Sequence, residues 1–93
     1  SIEVRDKEGN TRQLDVAALF VAIGQIPLNE AFKNIVDLDE SGYIKADELG
    51  YTNHPGIFAA GDCRVKSLRQ LATAASDGAN AATSAYHYLL TLK

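Results

Sequence analysis

Residues 52–62 read Thr-Asn-His-Pro-Gly-Ile-Phe-Ala-Ala-Gly-Asp, and this stretch decides the fold class. The Pro-Gly pair in its middle predicts a turn. Residues 57–60 are all apolar with no polar alternation, which is typical of a strand covered on both faces. Gly61 leaves room for a close approach to the backbone, and Asp62 follows at the strand's carboxyl end, where open α/β sheets bind ligands. A carboxylate there only accepts hydrogen bonds, so it suits the hydroxyl groups of a sugar or polyol.

Two further apolar patterns flank this stretch. Residues 17–23 form the most apolar run, and its shortness and the Gly and Pro that follow predict a second buried strand. Residues 69–92 predict a long helix. Its small and apolar residues recur at alternating steps of four and three and form one stripe that we expect to face the core: Leu71, Ala75, Gly78, Ala82, Ala85, Leu89 and Leu92. A glycine inside a helix costs about 1 kcal/mol relative to alanine, so we expect packing to require Gly78.

The remaining segments predict turns and hairpins. Residues 2–5 alternate apolar and charged, residues 6–10 predict a turn, and residues 11–14 would return as the partner strand of a hairpin. Residues 37–46 predict a second hairpin. Asn29 is suited to cap a short helix over residues 30–33. The acidic side chains of the second hairpin and the following loop are interpreted as solvated. Together these patterns predict an α/β fold: a partial Rossmann-like domain of short buried strands, hairpins and a long C-terminal helix.

Bulk properties exclude several classes of function. The 93 residues suffice for one small domain or part of a larger one, and 46% are apolar. The net charge of -3 argues against a nucleic-acid partner or an anionic membrane surface. The single cysteine, Cys63, cannot form an internal disulfide, which favours a cytoplasmic location. His54 and His87 lie apart from other metal-ligating residues, so no metal site is expected.

Several segments, in order and at matching spacing, resemble the two-dinucleotide-binding-domain flavoproteins, with thioredoxin reductase as the closest branch. Residues 52–62 resemble the second flavin-contacting motif of that family. Residues 20–27, Phe-Val-Ala-Ile-Gly-Gln-Ile-Pro, resemble the segment where the chain returns from the NADPH domain to the FAD domain. Residues 42–44, Gly-Tyr-Ile, resemble the hairpin that follows, and residues 69–70, Arg-Gln, resemble the start of the last helix.

The resemblance implies a partial FAD site. It implies that Asp62 hydrogen-bonds the ribityl or pyrophosphate region of FAD, beside Gly61. It also implies that the helix start points at the flavin pyrimidine, through the backbone amides near Gln70 and Leu71, with Arg69 in the same segment. We therefore expect these five residues to bind the cofactor and expect no catalytic residue in this chain. The family's redox-active Cys-x-x-Cys pair is absent from the sequence, so Cys63 is interpreted as a partly buried bystander.

The resemblance further implies a domain division and a parent enzyme. Residues 1–15 would be the tail hairpin of an NADPH-binding domain, and residues 16–93 would be the C-terminal portion of a FAD-binding domain. The parent would be a cytoplasmic, homodimeric enzyme that moves electrons from NADPH through FAD to thioredoxin or a similar disulfide protein. No Gly-x-Gly-x-x-Gly loop occurs in the chain, so we interpret it as a fragment that is inactive alone.

Two alternatives remain open on sequence grounds. The parent could be a ferredoxin–NADP reductase-like or peroxiredoxin-reducing flavoprotein, because the features that separate these enzymes lie outside the chain. The chain could also be a cofactor-free α/β interaction module that kept the fold and lost the site.

Overall fold

The computed structural model describes all 93 residues and contains few regular elements. Strand β1 covers Ile2–Arg5, strand β2 covers Thr11–Leu14, a 3-10 helix covers Glu30–Phe32, and helix α1 covers Leu71–Thr91. The molecule is elongated, with a radius of gyration of 19.5 Å and extents of 66 × 27 × 19 Å. A compact domain of this length would have a radius of gyration of about 12 Å. The difference arises partly because β1 and β2 contact each other and no other helix or strand.

The predicted N-terminal hairpin is confirmed. β1 and β2 pair antiparallel, with Ile2 opposite Leu14 and Arg5 opposite Thr11. The alternation of half-buried and exposed residues along β1 agrees with the sequence pattern. The hairpin is therefore a local structure whose register follows from its turn and its alternating side chains.

One turn occurs three times in the chain, at residues 6–10, 39–43 and 47–51, each with the pattern Asp-x-x-Gly-x. In each turn the aspartate carboxylate accepts hydrogen bonds from the backbone N–H groups two and four residues later, at 2.9 or 3.0 Å. The glycine N–H donates to the aspartate carbonyl, and the glycine φ lies between 85° and 92°. The second turn closes the predicted hairpin at residues 37–46, where Leu38 pairs with Ile44. Asp47 is exposed as expected and Asp39 is half-buried, but both carboxylates also hold turns together, a role that the sequence interpretation missed.

Helix α1 was predicted within two residues of its ends, but it packs through a different face. Its buried residues are Asp77, Ala81 and Ser84. On the expected stripe, Leu71 is 90% exposed and Leu89 is 58% exposed. Small side chains on the buried face let the helix backbone approach the loops beneath it, which a search for apolar residues does not detect.

Two glycines show how close this approach is. A Cβ atom added to Gly50 would lie 2.9 Å from the Cβ atom of Ala81, so Gly50 lies directly under the helix. Ser84 fastens the same turn, because its hydroxyl donates to the Leu49 carbonyl at 2.8 Å. A Cβ atom at Gly78 would meet no atom within 4 Å, so the expectation that packing requires this glycine was wrong.

The core is small and lies among the loops. Val36, Ile44 and Ala59 are buried together, and the half-buried Ile57 and Cys63 pack against them. The prediction of a buried strand at residues 57–60 was wrong: only Ala59 is buried, the other three residues are half-buried, and no strand is assigned. Pairing is limited to one bridge between Phe58 and Tyr51, so most of the backbone groups lack the neighbours that a strand requires. The 3-10 helix that follows Asn29 confirms the predicted short helix, although the Asn29 side chain donates to the carbonyls of Gly42 and Cys63 instead of capping it.

The prediction of a buried strand at residues 17–23 was wrong. These residues have no strand assignment, and Phe20 and Ile23 are 89% and 94% exposed. A strand requires a neighbour for its backbone N–H and C=O groups, and no segment of this chain pairs with residues 17–23. None of the helices has the length and apolar character needed to cross a membrane.

Candidate functional site

The turn at Gly61 and Asp62 presents a free carboxylate. Gly61 has a φ of 86°, a conformation that favours glycine, and its N–H donates to the Oδ2 atom of Asp77 at 2.9 Å. The Asp62 carbonyl accepts a hydrogen bond from Nε of Arg69 at 3.1 Å. The Asp62 side chain is exposed and makes no hydrogen bond within the chain. Its backbone is therefore fixed, while its carboxylate oxygens remain free to accept hydrogen bonds from a ligand.

Asp62 lies at a cleft of about 330 Å³. The cleft is lined by Gln25, Ile26, Pro27, Tyr43, Asp62 and Cys63. The side chains combine an acceptor, an amide and apolar surface, a mixture that suits a ligand with hydroxyl groups and an apolar or aromatic part. The structure thus brings Asp62 together with residues 25–27, part of the segment that resembles the return from the NADPH domain to the FAD domain. Cys63 is half-buried beside it, as expected, and its Sγ atom lies 3.3 Å from the Ala60 carbonyl.

Arg69 joins the start of α1 to this turn. Its guanidinium lies over the Tyr43 ring, 3.8 Å from the ring centroid. It also donates to the carbonyls of Asp62 and Arg64, at 3.1 Å and 3.0 Å. Planar stacking and forked donation are geometries that arginine provides and lysine does not. Arg69 therefore acts first as a structural clamp between the helix start, the turn and one wall of the cleft.

The N-terminus of α1 has unpaired backbone donors. The Gln70 N–H donates to the Oγ1 atom of Thr73 at 3.0 Å. The N–H groups of Leu71 and Ala72 have no acceptor within the chain, and both residues are exposed. Unpaired N–H groups and the positive end of the helix dipole together favour a negatively charged or electron-rich group.

A buried ion network lies beneath the turn and was not predicted. Arg64 donates to Asp77 through Nε at 2.7 Å and through Nη2 at 2.8 Å. Lys66 donates to the same carboxylate at 2.8 Å. The side chains of Arg64, Lys66 and Asp77 are only 2%, 4% and 8% exposed. Glu48, which is 87% exposed, lies 3.2 Å from Arg64 at the rim of the network.

The protonation states of this network follow from its hydrogen bonds. Hydrogen bonds from Arg64 hold the pKa of the Asp77 carboxyl well below its usual range, against the opposing effect of burial. Lys66 and the Gly61 N–H lower the same pKa further. The hydrogen bonds to Asp77 likewise raise the pKa of Arg64. Asp77 and Arg64 are therefore both ionised around neutral pH, and each of these two buried charges has the other as its partner.

The sequence did contain a signal for this network. Asp77 is the only Asp, Glu, Lys or Arg among the 21 residues of α1. A single acid in a helix otherwise composed of small, polar and apolar residues needs a partner if it is buried, and Arg64 and Lys66 are the nearest basic residues before the helix apart from Arg69.

Comparison with known proteins gives one consistent family. The pyridine nucleotide-disulphide oxidoreductase family model matches residues 1–79. A thioredoxin reductase of Listeria monocytogenes is 46% identical over 86 residues, which are 92% of this chain and 27% of the relative. A thioredoxin reductase of Peptoclostridium acidaminophilum is 55% identical over 71 residues, or 76% of this chain and 22% of the relative.

Solved structures agree with these sequence matches. The thioredoxin reductase of Streptococcus pyogenes superposes with a TM-score of 0.78 at 37% identity, over 96% of this chain and 29% of that structure. The Lactococcus lactis thioredoxin reductase gives a TM-score of 0.77 at 39% identity, over 91% of this chain and 28% of that structure. These likenesses confirm the predicted α/β fold class. The chain spans less than a third of the length of each of these relatives.

Proposed function

The chain belongs to the pyridine nucleotide-disulphide oxidoreductase family, and we propose that it supplies the C-terminal part of the FAD-binding domain of a thioredoxin-reductase-like flavoprotein. Residues 16–93 are assigned to that domain, and residues 1–15 to the tail hairpin of an NADPH-binding domain. All hydrogen bonds of residues 1–15 lie within that segment, which supports this division. The alignment with thioredoxin reductases supports the type of enzyme.

The observation that carries the proposal is the free carboxylate of Asp62 at the edge of the cleft. The residues fit the hydroxyl-bearing part of FAD, because Asp62 accepts hydrogen bonds and Gly61 has no side chain to block a close approach. The backbone near Gln70 and Leu71 would lie toward the flavin ring and favour electron density there, since the Leu71 N–H has no acceptor in the chain. Arg69 contributes by holding the helix start against the turn.

The proposed whole enzyme moves electrons from NADPH to a protein disulfide. When bound, FAD supplies the hydride and electron-transfer chemistry. The residues of this chain hold and orient the cofactor, and none of them is proposed as a catalytic residue. Thioredoxin or a similar disulfide protein is the proposed electron acceptor, as the names of the relatives suggest. The proposed enzyme is a cytoplasmic homodimer. The chain alone is proposed to be inactive, because it contains neither a cysteine pair nor a glycine-rich dinucleotide loop.

The test uses the full-length protein that carries this chain. We expect it to purify with FAD and to reduce thioredoxin with NADPH. Replacing Asp62 by Ala should weaken FAD binding about 10- to 100-fold, the effect of losing a hydrogen bond to a charged group. Glu40→Ala, at an exposed acid that does not line the cleft, serves as the control and should leave the FAD affinity unchanged.

Each outcome tests a different part of the proposal: the flavoprotein assignment, the electron acceptor or the inactivity of the isolated chain. Absence of FAD binding by the unaltered protein would refute the proposed function. FAD binding with no reduction of thioredoxin, but reduction of another acceptor, would keep the flavoprotein assignment and reject the acceptor. Reductase activity of the isolated chain would show that the assignment of inactivity was wrong.

A further inference from the structure

We propose that Asp77 is a positioning residue for the cofactor site, which fixes the Gly61–Asp62 turn relative to the N-terminus of α1. This inference rests on the proposed function, because the turn and the helix start are the two parts of this chain assigned to FAD. Asp77 itself is buried beneath the turn and does not reach the cleft side of Asp62. Its effect on the cofactor is exerted through Gly61 and the helix.

Hydrogen bonds connect the Gly61–Asp62 turn, the loop that follows it and helix α1 to one another. Asp77 lies on α1, and its Oδ2 atom accepts the Gly61 N–H at 2.9 Å, one residue before Asp62. Its two oxygens also accept the guanidinium of Arg64. The Arg64 carbonyl in turn accepts Nη2 of Arg69 at 3.0 Å, directly before the helix start. Both ends of the loop that joins the turn to α1 are thereby tied to α1 and to each other.

Charge explains why an acid is needed at this point. Arg64 and Lys66 are both almost completely buried and lie on the same carboxylate. Without a negative charge between them, two buried cations would repel each other in a region of low dielectric constant. The loop that holds them would then open, and that loop begins at Asp62. Loss of the Asp77 charge should therefore displace the Asp62 carboxylate as well as weaken the fold.

The Asp77→Asn substitution tests this role with little change in size. Three donors, from Gly61, Arg64 and Lys66, converge on Oδ2 of Asp77. An asparagine would place its NH₂ group against at least one donor, whichever way its amide is oriented. In the full-length flavoprotein, at a temperature where the variant is folded, we expect FAD to bind about 10- to 100-fold more weakly. The absorption spectrum of the bound flavin should also shift, because the environment of the ring changes with the helix start.

Ser84→Ala is the matched control. Ser84 is buried on the same face of α1 and holds the helix to Leu49 through one hydrogen bond. Its removal should lower the midpoint of urea unfolding while leaving the FAD affinity within twofold and the flavin spectrum unchanged. The control therefore separates a general loosening of α1 from displacement of the turn.

The outcomes distinguish this inference from the proposed function. If the unaltered protein binds FAD and Asp77→Asn binds it equally well, the positioning role is refuted and the proposed function stands. If the unaltered protein binds no FAD, both are refuted. Should Asp77→Asn fail to fold, amide hydrogen exchange of Gly61 in the unaltered protein decides. Protection with and without FAD supports Asp77 as its acceptor, whereas protection only with FAD refutes the proposal.

Discussion

Gly50 and Gly42 offer a direct test of how closely α1 approaches the loops. Both occupy the fourth position of the same Asp-x-x-Gly turn, with φ values of 85° and 92°. Replacing either by Ala incurs the same cost of a left-handed conformation, about 1–2 kcal/mol. Their surroundings differ, however. The nearest atom to an added Cβ is Cγ of Pro27 at 3.4 Å for Gly42, but Cβ of Ala81 at 2.9 Å for Gly50.

The difference between the two variants measures the packing alone. Carbon atoms attract best at about 3.5–4.0 Å, so the new Cβ at Gly50 would force α1 away from the loop. It would also lie 3.1 Å from the Ala59 carbonyl oxygen. Overpacking of this kind costs about 1–3 kcal/mol. We therefore expect Gly50→Ala to lower the free energy of unfolding by about 2–5 kcal/mol, and Gly42→Ala by about 1–2 kcal/mol.

Urea unfolding followed by the circular dichroism of α1 measures both values under the same conditions. The slope of the free energy against urea should be equal for the two variants, so that their midpoints compare directly. Equal losses for Gly50→Ala and Gly42→Ala, within about 0.5 kcal/mol, would refute the close contact between Ala81 and the turn.

Three further predictions concern charge, stacking and exposure. The folded-state pKa of Asp77 is lowered below the unfolded value of 3.8. The stability that the ionised carboxylate contributes is therefore present above pH 3.8 and is lost as the pH falls through the lowered pKa. Urea midpoints measured down to about pH 2 should show this loss in the unaltered protein and not in Asp77→Asn. Arg69→Lys should lower the free energy of unfolding by about 0.5–2 kcal/mol, since lysine loses the stacking on Tyr43 and the forked donation, and an unchanged urea midpoint would show that the clamp is unimportant. Phe20→Ser should change the free energy of unfolding by no more than about 0.5 kcal/mol, because Phe20 is 89% exposed. Val36→Ala, in the core, should lower it by about 1.5–3 kcal/mol. A comparable loss for both variants would mean that Phe20 is packed.

The sequence predicted the features that depend on local chemistry. The hairpin at residues 2–14 and helix α1 formed where the sequence patterns indicated, and the turn of the second hairpin formed within residues 37–46 as predicted. The strand-end position of Asp62 led to the cleft, and its free carboxylate agrees with a ligand-binding role, which is still a prediction. These features need few contacts between distant residues, so short stretches of sequence contain most of the information.

The failures were in features that depend on tertiary partners. Residues 17–23 have the composition of a buried strand, but no segment of this chain pairs with their backbone. The face of α1 was misassigned because Ala81 and Ser84 pack through smallness and a hydrogen bond, not through apolar bulk. The Asp77 network was missed because Arg64 and Lys66 lie on a loop, 13 and 11 residues before Asp77 in the sequence. Hydrophobic periodicity contains no information on such pairs.

The three Asp-x-x-Gly turns show where local chemistry ends and tertiary structure begins. All three have the same aspartate hydrogen bonds and the same glycine conformation, so five residues suffice to form the turn. A side chain at Gly9 would meet nothing, whereas one at Gly50 would meet α1. The same local motif therefore closes a hairpin at Gly9 and packs against helix α1 at Gly50. That helix also holds Gly61, through the separate contact with Asp77. Substitutions at Gly50 should therefore lower stability, as Ser84→Ala should, whereas those at Gly9 should affect neither the cleft nor α1.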